Sequence, residues 1–320
     1  MYVIGIDGGG TKTTGVLVSE KGHVVAEKTV GATNPNSVGM EQAKGELKEL
    51  LLALKEQNEQ AYQQVSSLFA GLSGMEGTNR QEVIKAFLQK VIPNVQVEVD
   101  NDAIIALYSG TMGLPGVVQI SGTGSITYGV DDNNNRYRVG GWGYLVGDEG
   151  SGYAIGKAGV SAVFQAYDGT GTETLLTKLI LTHFQIDNPT ALIPFIYGEK
   201  ARETIASLSR HVMAAADEKD KVALHILKEQ AELLGHQIAT LIKRGNVRMD
   251  TSLPIVLTGG VMNRADLLQT GIETQLKKHQ INSFHFVLPQ IAPVGGAVIA
   301  ALRVEIGEVN EDFIVNFIKG

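Results

Sequence analysis

Residues 6–13 read IDGGGTKT, and a segment of the same kind returns at residues 120–127 as ISGTGSIT. Each copy follows an apolar run with strand character and leads into a second such run, so strand, glycine turn and strand form the repeated unit. When the two copies are aligned, Thr13 falls on Thr127, and the match continues beyond the glycines. This extended match indicates an internal duplication.

The glycines of both turns suit phosphate binding, because a turn without Cβ atoms can take positive φ and bring several N–H groups close to an anion. Thr11, Thr13, Thr123 and Ser125 add hydroxyl donors. A Walker A loop is excluded because Thr11 stands where its glycine must precede the lysine, and the Rossmann fingerprint lacks its third glycine and following helix. The alternative is a pair of ordinary tight turns, which the repeated Gly/Thr pattern disfavours.

The composition is typical of a globular enzyme. The chain has 320 residues, of which 43% are hydrophobic and 19% charged, enough for roughly two domains. The net charge of −7 disfavours nonspecific binding to nucleic acid or to a membrane, so we expect small-molecule partners. Apolar runs stay short of the ~20 residues that span a bilayer, and the N-terminus begins as a strand, not as an export signal. We therefore expect a cytoplasmic protein.

The chain contains no cysteine. This absence excludes disulfides, thiolate metal sites, cysteine nucleophiles and iron–sulfur clusters together. The seven histidines form none of the spaced pairs that bind zinc. We interpret them as structural or surface residues.

Further polar or glycine-rich segments follow predicted strands. The strand at 95–99 ends in Asp100-Asn101-Asp102, and the strand at 253–257 ends in TGGVMN. Between them, residues 140–152 read GGWGYLVGDEGSG. No linker separates the two halves, so the boundary near residues 114–115 is interpreted as a hinge.

Together these landmarks resemble the actin-like superfamily of sugar kinases and heat-shock ATPases and, within it, the BadF/BadG/BcrA/BcrD ATPase family, which contains N-acetylglucosamine kinase. The motifs are GIDGGGTKT at 5–13, ISGTGS at 120–125, the Gly-Trp-Gly and Gly-Asp-Glu-Gly-Ser segments within 141–151, and LTGGV at 257–261. The resemblance covers nearly the whole chain. The tryptophan and acidic segments are the most specific, because the two phosphate loops alone indicate only the superfamily.

The resemblance implies an α/β fold of two actin-like (ribonuclease H-like) domains, each a mixed sheet flanked by helices, with an interdomain cleft. The N-terminal domain is expected at 1–115 with a C-terminal helix at about 303–320, and the C-terminal domain at 116–302. Homodimers are common in the family, so a homodimer is a further expectation.

The resemblance also implies a site for ATP, Mg²⁺ and an amino sugar. Asp7 is expected to hold the metal through its waters. The expected ATP-binding residues are Gly9, Gly10, Thr11, Lys12, Thr13, Gly122, Thr123, Gly124, Gly259, Gly260 and Asn263. The expected sugar-binding residues are Asn34, Ser73, Asp102, Ser125, Gly141, Trp142, Gly143 and Asp148.

Asp102 matches the family position of a general base that accepts the proton of the sugar's 6-hydroxyl. Asp100 is the competing candidate, and a plain helix cap is the structural alternative for Asp102. Trp142 is the only tryptophan and lies between glycines, which suits a sugar face or an acetamido methyl group. The alternative for Trp142 is a side chain that covers a loop.

The leading hypothesis is ATP-dependent 6-phosphorylation of an amino sugar, most simply N-acetylglucosamine. N-acetylmuramic acid and glucosamine remain alternatives, because Ile126 and the polar loop at 131–135 depart from the N-acetylglucosamine pattern. A dehydratase activator is excluded because that role needs a cysteine-bound iron–sulfur cluster. A non-catalytic sugar sensor of the same fold is disfavoured by the presence of Asp7, Asp102 and both loops.

Overall fold

The computed structural model describes residues 1–75, 79–245, 247, 252–307, 309 and 311–319. The chain divides into two compact units. Unit 1 comprises Met1–Gly116 and Val287–Gly320, and unit 2 comprises Val117–Phe286. Among the helices so described, none is both long and apolar enough to cross a membrane.

Unit 1 contains one five-stranded sheet and its helices. The strands are β1 (Tyr2–Gly8), β2 (Thr13–Ser19), β3 (Val24–Val30), β4 (Val65–Leu72) and β5 (Gln96–Asn101). The helices are α1 (Pro35–Val38), α2 (Met40–Gln57), α3 (Glu59–Tyr62), α4 (Arg80–Val91), α5 (Asp102–Thr111), α13 (Pro293–Ile306) and α14 (Glu311–Lys319). The strand order is β3-β2-β1-β4-β5, with β1–β2 and β2–β3 antiparallel and β1–β4 and β4–β5 parallel.

Unit 2 repeats this arrangement. Its strands are β6 (Gly116–Ser121), β7 (Ser125–Val130), β8 (Arg136–Gly140), β9 (Leu253–Thr258) and β10 (Phe284–Val287). Its helices are α6 (Gly152–Tyr167), α7 (Leu175–Phe184), α8 (Ile193–Ile196), α9 (Ala201–Ser207), α10 (Ser209–Asp217), α11 (Lys221–Gly245) and α12 (Gln269–Lys278), with 3₁₀ helices at Pro189–Leu192 and Gly260–Leu267. The sheet order, β10-β9-β6-β7-β8, matches that of unit 1 strand for strand. The topology thus agrees with the duplication predicted from the two glycine turns.

Helix α13 packs within unit 1, whereas the sequence prediction drew that domain boundary at residue 302. Two glycines allow the close packing. A Cβ at Gly5 of β1 would lie 2.6 Å from Val298 Cγ2, and a Cβ at Gly296 would overlap the carbonyl oxygen of Ile105 in α5. The predicted helix at about 303–320 corresponds to the end of α13 and to α14, and its positions 308, 310 and 320 lie outside the described residues.

Helices α6 and α9 touch at Gly156, where an added Cβ would overlap the backbone carbonyl oxygen of Ile205. We expect Gly156→Ala to lower the free energy of unfolding by about 1–3 kcal/mol, because the backbone of α9 must move away. Gly45→Ala in α2 is the matched control, since no described atom lies within 4 Å of its Cβ position. Urea denaturation followed by circular dichroism measures both variants. Equal midpoints for Gly156→Ala and wild type would contradict this packing.

Candidate active site

Three parallel strands of unit 1 end side by side. Gly8 of β1 lies opposite Leu72 of β4, and Leu72 lies opposite Asn101 of β5. The glycine hairpin, Ser73 and Asp102 follow these three strand ends directly. The carboxyl edge of parallel strands is the usual ligand-binding edge of α/β sheets. The sheet register therefore groups three predicted site elements within one unit.

The first glycine hairpin joins β1 to β2. The Gly9 N–H donates to the Lys12 carbonyl oxygen at 3.0 Å, and the Ser73 N–H donates to the Gly8 carbonyl oxygen at 2.8 Å. Gly10, Thr11 and Lys12 are exposed at the tip. The tip therefore presents the predicted phosphate-binding residues to solvent.

Thr13 has a different environment from the rest of that hairpin. Its side chain is fully buried, and its Oγ1 lies 2.8 Å from Oγ1 of the equally buried Thr33. The Thr33 N–H donates to the Gly9 carbonyl oxygen at 3.2 Å. The hydroxyl of Thr13 thus fixes the shape of the loop, while the tip residues face outward.

Asp7 is the last side chain of β1 before the glycines. Its burial raises the pKa of the carboxyl group from 3.8 to about 6, and the nearby Lys12 ammonium opposes that rise. A carboxylate that has lost much of its hydration is electrostatically suited to a cation. The described residues include no cluster of three or more His, Cys, Asp or Glu side chains that could hold a metal by themselves.

Asn34 and Ser73 lie in loops that touch each other. Asn34 accepts a hydrogen bond from the Asn36 N–H at 2.9 Å, and a Cβ at Gly74 would overlap its Oδ1. Arg80 ties the two loops by donating to Asn36 Oδ1 at 2.8 Å and to the Gly74 carbonyl oxygen at 2.9 Å. Among the described residues, the buried Oγ of Ser73 has no hydrogen-bond partner. A buried polar atom of this kind calls for a partner, and a bound ligand can supply it.

Asp102 is the first residue of α5. The cap of α5 is Asn101, whose Oδ1 accepts from the Ala103 N–H at 2.8 Å. Helix capping therefore does not account for Asp102. The competing candidate, Asp100, is only 7% exposed and accepts from the Asn101 N–H at 2.7 Å, whereas Asp102 is half-buried.

The second glycine hairpin, in unit 2, is held by the start of α6. The Gly122 N–H donates to the Gly124 carbonyl oxygen at 2.9 Å within the loop. The Gly152 N–H donates to the Gly122 carbonyl oxygen at 2.7 Å, and the Tyr153 N–H to that of Thr123 at 3.3 Å. The first turn of α6 thus fixes this hairpin.

A cavity of about 460 Å³ opens beside this hairpin within unit 2. Its lining includes the predicted ATP-binding residues Gly122, Thr123 and Gly260. Gly259 has a φ of +99°, and a Cβ there would overlap the Ser121 carbonyl oxygen, so glycine is required where the backbone turns toward β6. Because the sequence predicts nucleotide binding by these residues, we call this space the nucleotide cavity.

Sequence reasoning missed part of that lining. Glu203, Ala206, Ser207 and Ser209 contribute from α9 and α10, and Gly152 contributes from α6. The four residues of α9 and α10 belong to no glycine motif and carry no periodic signal of their own, whereas Gly152 ends the glycine-rich segment at 140–152. The predicted Asn263 is outside this lining and exposed. The adjacent Arg264 pairs with Asp217 at 2.7 Å and Asp266 at 2.9 Å, which ties this segment to α10.

Asp148 joins two predicted sugar-binding loops of unit 2. It is 4% exposed and accepts hydrogen bonds from the backbone N–H groups of Ser125 and Gly143, the latter at 3.3 Å. Burial raises the pKa of Asp148, while these hydrogen bonds and the Arg202 guanidinium, 4.0 Å away, oppose the rise. Ser125 is also tied down, because its Oγ lies 2.9 Å from the donating Gln119 Nε2.

Trp142 lies on the same glycine-rich segment, between Gly141 and Gly143. Its side chain is 69% exposed, so it does not serve as the cover of a loop. The Arg138 guanidinium stacks on the ring, 4.0 Å from the centroid. The open indole face is suited to stacking against a small ligand.

Two sheets of one topology, each with a glycine hairpin after its central strand, define an α/β protein of the actin-like class. This confirms the predicted α/β fold, with a mixed sheet flanked by helices in each unit. The sequence model of the BadF/BadG/BcrA/BcrD ATPase family matches residues 4–301. The chain belongs to this family, as its motifs predicted.

Two curated relatives extend over most of the chain. The N-acetyl-D-glucosamine kinase of Dictyostelium discoideum is 33% identical over 311 residues, which cover 94% of this chain and 97% of the relative. The N-acetylmuramic acid/N-acetylglucosamine kinase of Clostridium acetobutylicum is 35% identical over 270 residues, which cover 83% of this chain and 87% of the relative.

A solved structure shares the fold. It is a protein of Chromobacterium violaceum provisionally described as an N-acetylglucosamine kinase, with a TM-score of 0.68 and 24% identity, and the match covers 93% of this chain and 98% of the other. At this level of identity the similarity shows the fold alone.

Proposed function

We propose that the protein is an ATP-dependent amino-sugar kinase that phosphorylates a 6-hydroxyl group, with N-acetylglucosamine as its first substrate. The observation that carries the proposal is the row of strand ends in unit 1. There the glycine hairpin, the Ser73 hydroxyl, which has no partner among the described residues, and the acidic Asp102 follow three neighbouring strands. The names of the two curated relatives support the same activity.

In the proposed reaction, Asp102 accepts the proton of the 6-hydroxyl group as the sugar oxygen attacks the γ-phosphorus of ATP. The new O–P bond forms while the bond to the bridging oxygen of ADP breaks. Asn34, Ser73, Ser125, Trp142 and Asp148 orient the sugar in this proposal. The two glycine hairpins bind the phosphate groups.

The surroundings of Asp7 fit Mg²⁺. The metal commonly binds through one or two carboxylates together with substrate phosphates and water, so a single desolvated carboxylate beside a phosphate loop is sufficient. In this proposal Asp7 holds the ion through water molecules. When bound, Mg²⁺ neutralises negative charge on the β- and γ-phosphates.

The test is ADP release from Mg-ATP in the presence of N-acetylglucosamine, N-acetylmuramic acid, glucosamine, N-acetylmannosamine or glucose, with a control lacking sugar. We expect stimulation by an amino sugar, with N-acetylglucosamine giving the highest kcat/KM. Equal ADP release without sugar would instead identify an ATPase that awaits a protein partner. No release with any sugar would favour a sensor.

Trp142→Ala is expected to raise the KM for the amino sugar about tenfold, since the lost stacking surface supplies about 1–1.5 kcal/mol. The KM for ATP should change little. Tyr167→Ala is the matched control, because Tyr167 is another exposed aromatic side chain of unit 2, 52% accessible. Steady-state kinetics with each substrate varied in turn measure both constants. An unchanged sugar KM in Trp142→Ala would remove Trp142 from the sugar site.

We also propose that the protein acts in the cytoplasm, where ATP is supplied, and that it forms a homodimer. Size-exclusion chromatography with light scattering tests the dimer directly. A mass of 34.2 kDa at all concentrations would contradict it.

A further inference from the structure

A second cavity, of about 530 Å³, lies in unit 2 next to the nucleotide cavity. One wall is a face of α6, formed by Tyr153, Lys157, Val160, Ser161, Phe164 and Gln165. The other wall is formed by Ile193, Ile196 and Tyr197 at α8 and by Ile205 of α9. The volume lies within the range of small-molecule sites, and none of these residues belongs to the proposed catalytic or substrate-binding set. We call this space the α6–α8 cavity.

The α6–α8 cavity is apolar with one positive group. Among the described residues that line it, Lys157 alone carries a charge. Lys157 is exposed, and within the part of the chain that the structure describes its ammonium has no hydrogen-bond or ion-pair partner. Ser161 and Gln165 follow at intervals of four, so they continue a polar row along one line of α6. The cavity therefore combines aliphatic and aromatic surface with a cation and a polar row.

We propose that the α6–α8 cavity binds an apolar monocarboxylate, with its aryl or alkyl part against Phe164, Ile196 and Ile205 and its carboxylate on Lys157. An anion of this kind pairs with the exposed Lys157 ammonium, while its apolar part covers surface that otherwise faces water. The ligand is neither substrate nor cofactor of the proposed kinase reaction. The site acts as a regulatory one, through the contacts between the two cavities.

Those contacts are direct, because consecutive residues line the two cavities. Gly152 and Ala206 line the nucleotide cavity, and their neighbours Tyr153 and Ile205 line the α6–α8 cavity. The Tyr153 N–H also donates to the Thr123 carbonyl oxygen in the glycine hairpin. A ligand that displaces Tyr153 or Ile205 therefore changes the hairpin and α9 together.

Because α6 and α9 pack closely against each other, neither helix can move without displacing the other. Gly156 lies directly against the carbonyl group of Ile205, with no space for even a Cβ atom. A shift of α9 is thus transmitted to α6, and the reverse also holds. Thermodynamic linkage then requires that the carboxylate and the nucleotide change each other's affinity by the same factor.

Calorimetric titration of the 320-residue chain with phenylbutyrate tests the site, with phenylbutanol as the uncharged probe of similar shape. We expect phenylbutyrate to bind about two- to fivefold more tightly than phenylbutanol, because the carboxylate gains an ion pair with the exposed Lys157. Lys157→Met should abolish this preference. Lys178→Met, which removes an exposed lysine of α7 outside the cavity, should leave it unchanged.

Equal binding of the acid to wild type and Lys157→Met, or no binding in the millimolar range, would overturn the proposal. If acid binding weakens as the protein concentration rises, a second copy of the chain occupies the cavity, and the proposal is also wrong. These titrations contain neither sugar nor turnover. Their failure is therefore distinguishable from failure of the kinase assignment.

The regulatory part is tested by measuring the Kd of a fluorescent ATP analogue with and without saturating phenylbutyrate. We expect at least about a twofold change in wild type and none in Lys157→Met. This arm rests on the assignment of the nucleotide cavity. Binding of the acid with an unchanged nucleotide Kd would overturn the regulatory role. If Lys157→Met is unstable, Ser161→Trp provides a second variant, because its side chain fills the cavity.

Discussion

Asp102→Asn is expected to lower kcat for sugar phosphorylation by about 10²–10⁴-fold, which is the usual contribution of a general base. The KM values for sugar and ATP should stay within a few-fold of wild type, because the amide keeps the size of the carboxylate and loses mainly its basicity. Asparagine cannot accept the hydroxyl proton in the transition state. The loss therefore falls on kcat more than on binding.

Asp100→Asn is the matched control for this variant. Asp100 lies two residues earlier, is 7% exposed, and already accepts a hydrogen bond from the Asn101 N–H. If Asp102 is the base, Asp100→Asn should retain kcat within about tenfold. The opposite ranking would transfer the role to Asp100, and near-normal turnover in both variants would exclude a carboxylate base at this strand end.

Stability gives an independent check on Asp102→Asn. Asp102 is the only acidic residue in the first turn of α5. A negative charge at this position interacts favourably with the helix dipole and stabilises the folded protein by about 0.3–1 kcal/mol. The α5 cap, Asn101, is unchanged by the substitution. A small loss in the free energy of unfolding beside a large loss in kcat would separate the catalytic effect from misfolding.

The fold could be predicted because its deciding features are local. Glycines at a strand end, apolar runs of strand length and the repeat of the same turn are all visible along the chain. The repeat predicts that both halves build the same sheet, and the strand orders agree. Asp7 and Asp102 could be proposed as site residues for a related reason, since Asp7 lies at the end of β1 and Asp102 follows β5 directly.

Other features depend on packing between distant segments and leave no local pattern. The α9 and α10 residues of the nucleotide cavity are ordinary helix residues, and only the tertiary fold brings them to the second hairpin. The placement of α13 in unit 1 depends on contacts between Gly5 and Val298 and between Gly296 and Ile105. The burial of Thr13 against Thr33 likewise requires the fold.

Asp7→Asn is expected to lower kcat/KM for Mg-ATP by about 10²–10³-fold, because it removes the charge proposed to hold the metal beside the phosphates. The same substitution should make the nucleotide-free protein more stable at neutral pH. In wild type, folding buries the Asp7 carboxylate and raises its pKa from 3.8 to about 6. This burial of charge costs about 3 kcal/mol above pH 6, since each pKa unit corresponds to 1.36 kcal/mol.

The sign of the pH dependence follows from proton binding. Between pH 3.8 and about 6 the folded protein holds the Asp7 proton more tightly than the unfolded chain does, so raising the pH through this window lowers the contribution of Asp7 to the stability of wild type. Asp7→Asn does not lose stability in this way, because the asparagine side chain does not ionise. Activity responds in the opposite direction, because kcat/KM for Mg-ATP requires the carboxylate and should fall as the pH drops below about 6.

Urea denaturation from pH 4 to 8 without nucleotide, compared between wild type and Asp7→Asn, isolates the contribution of this one carboxylate. Glu20→Gln is the control, because it removes an acidic charge at the far end of β2, where the side chain is 48% exposed. We expect the difference in unfolding free energy between Asp7→Asn and wild type to grow with pH and to level off above about 6, while Glu20→Gln follows wild type. Parallel curves for Asp7→Asn and wild type would show that Asp7 is not desolvated. A variant that is both more stable and inactive would show that unit 1 keeps a destabilising charge because Mg-ATP needs it.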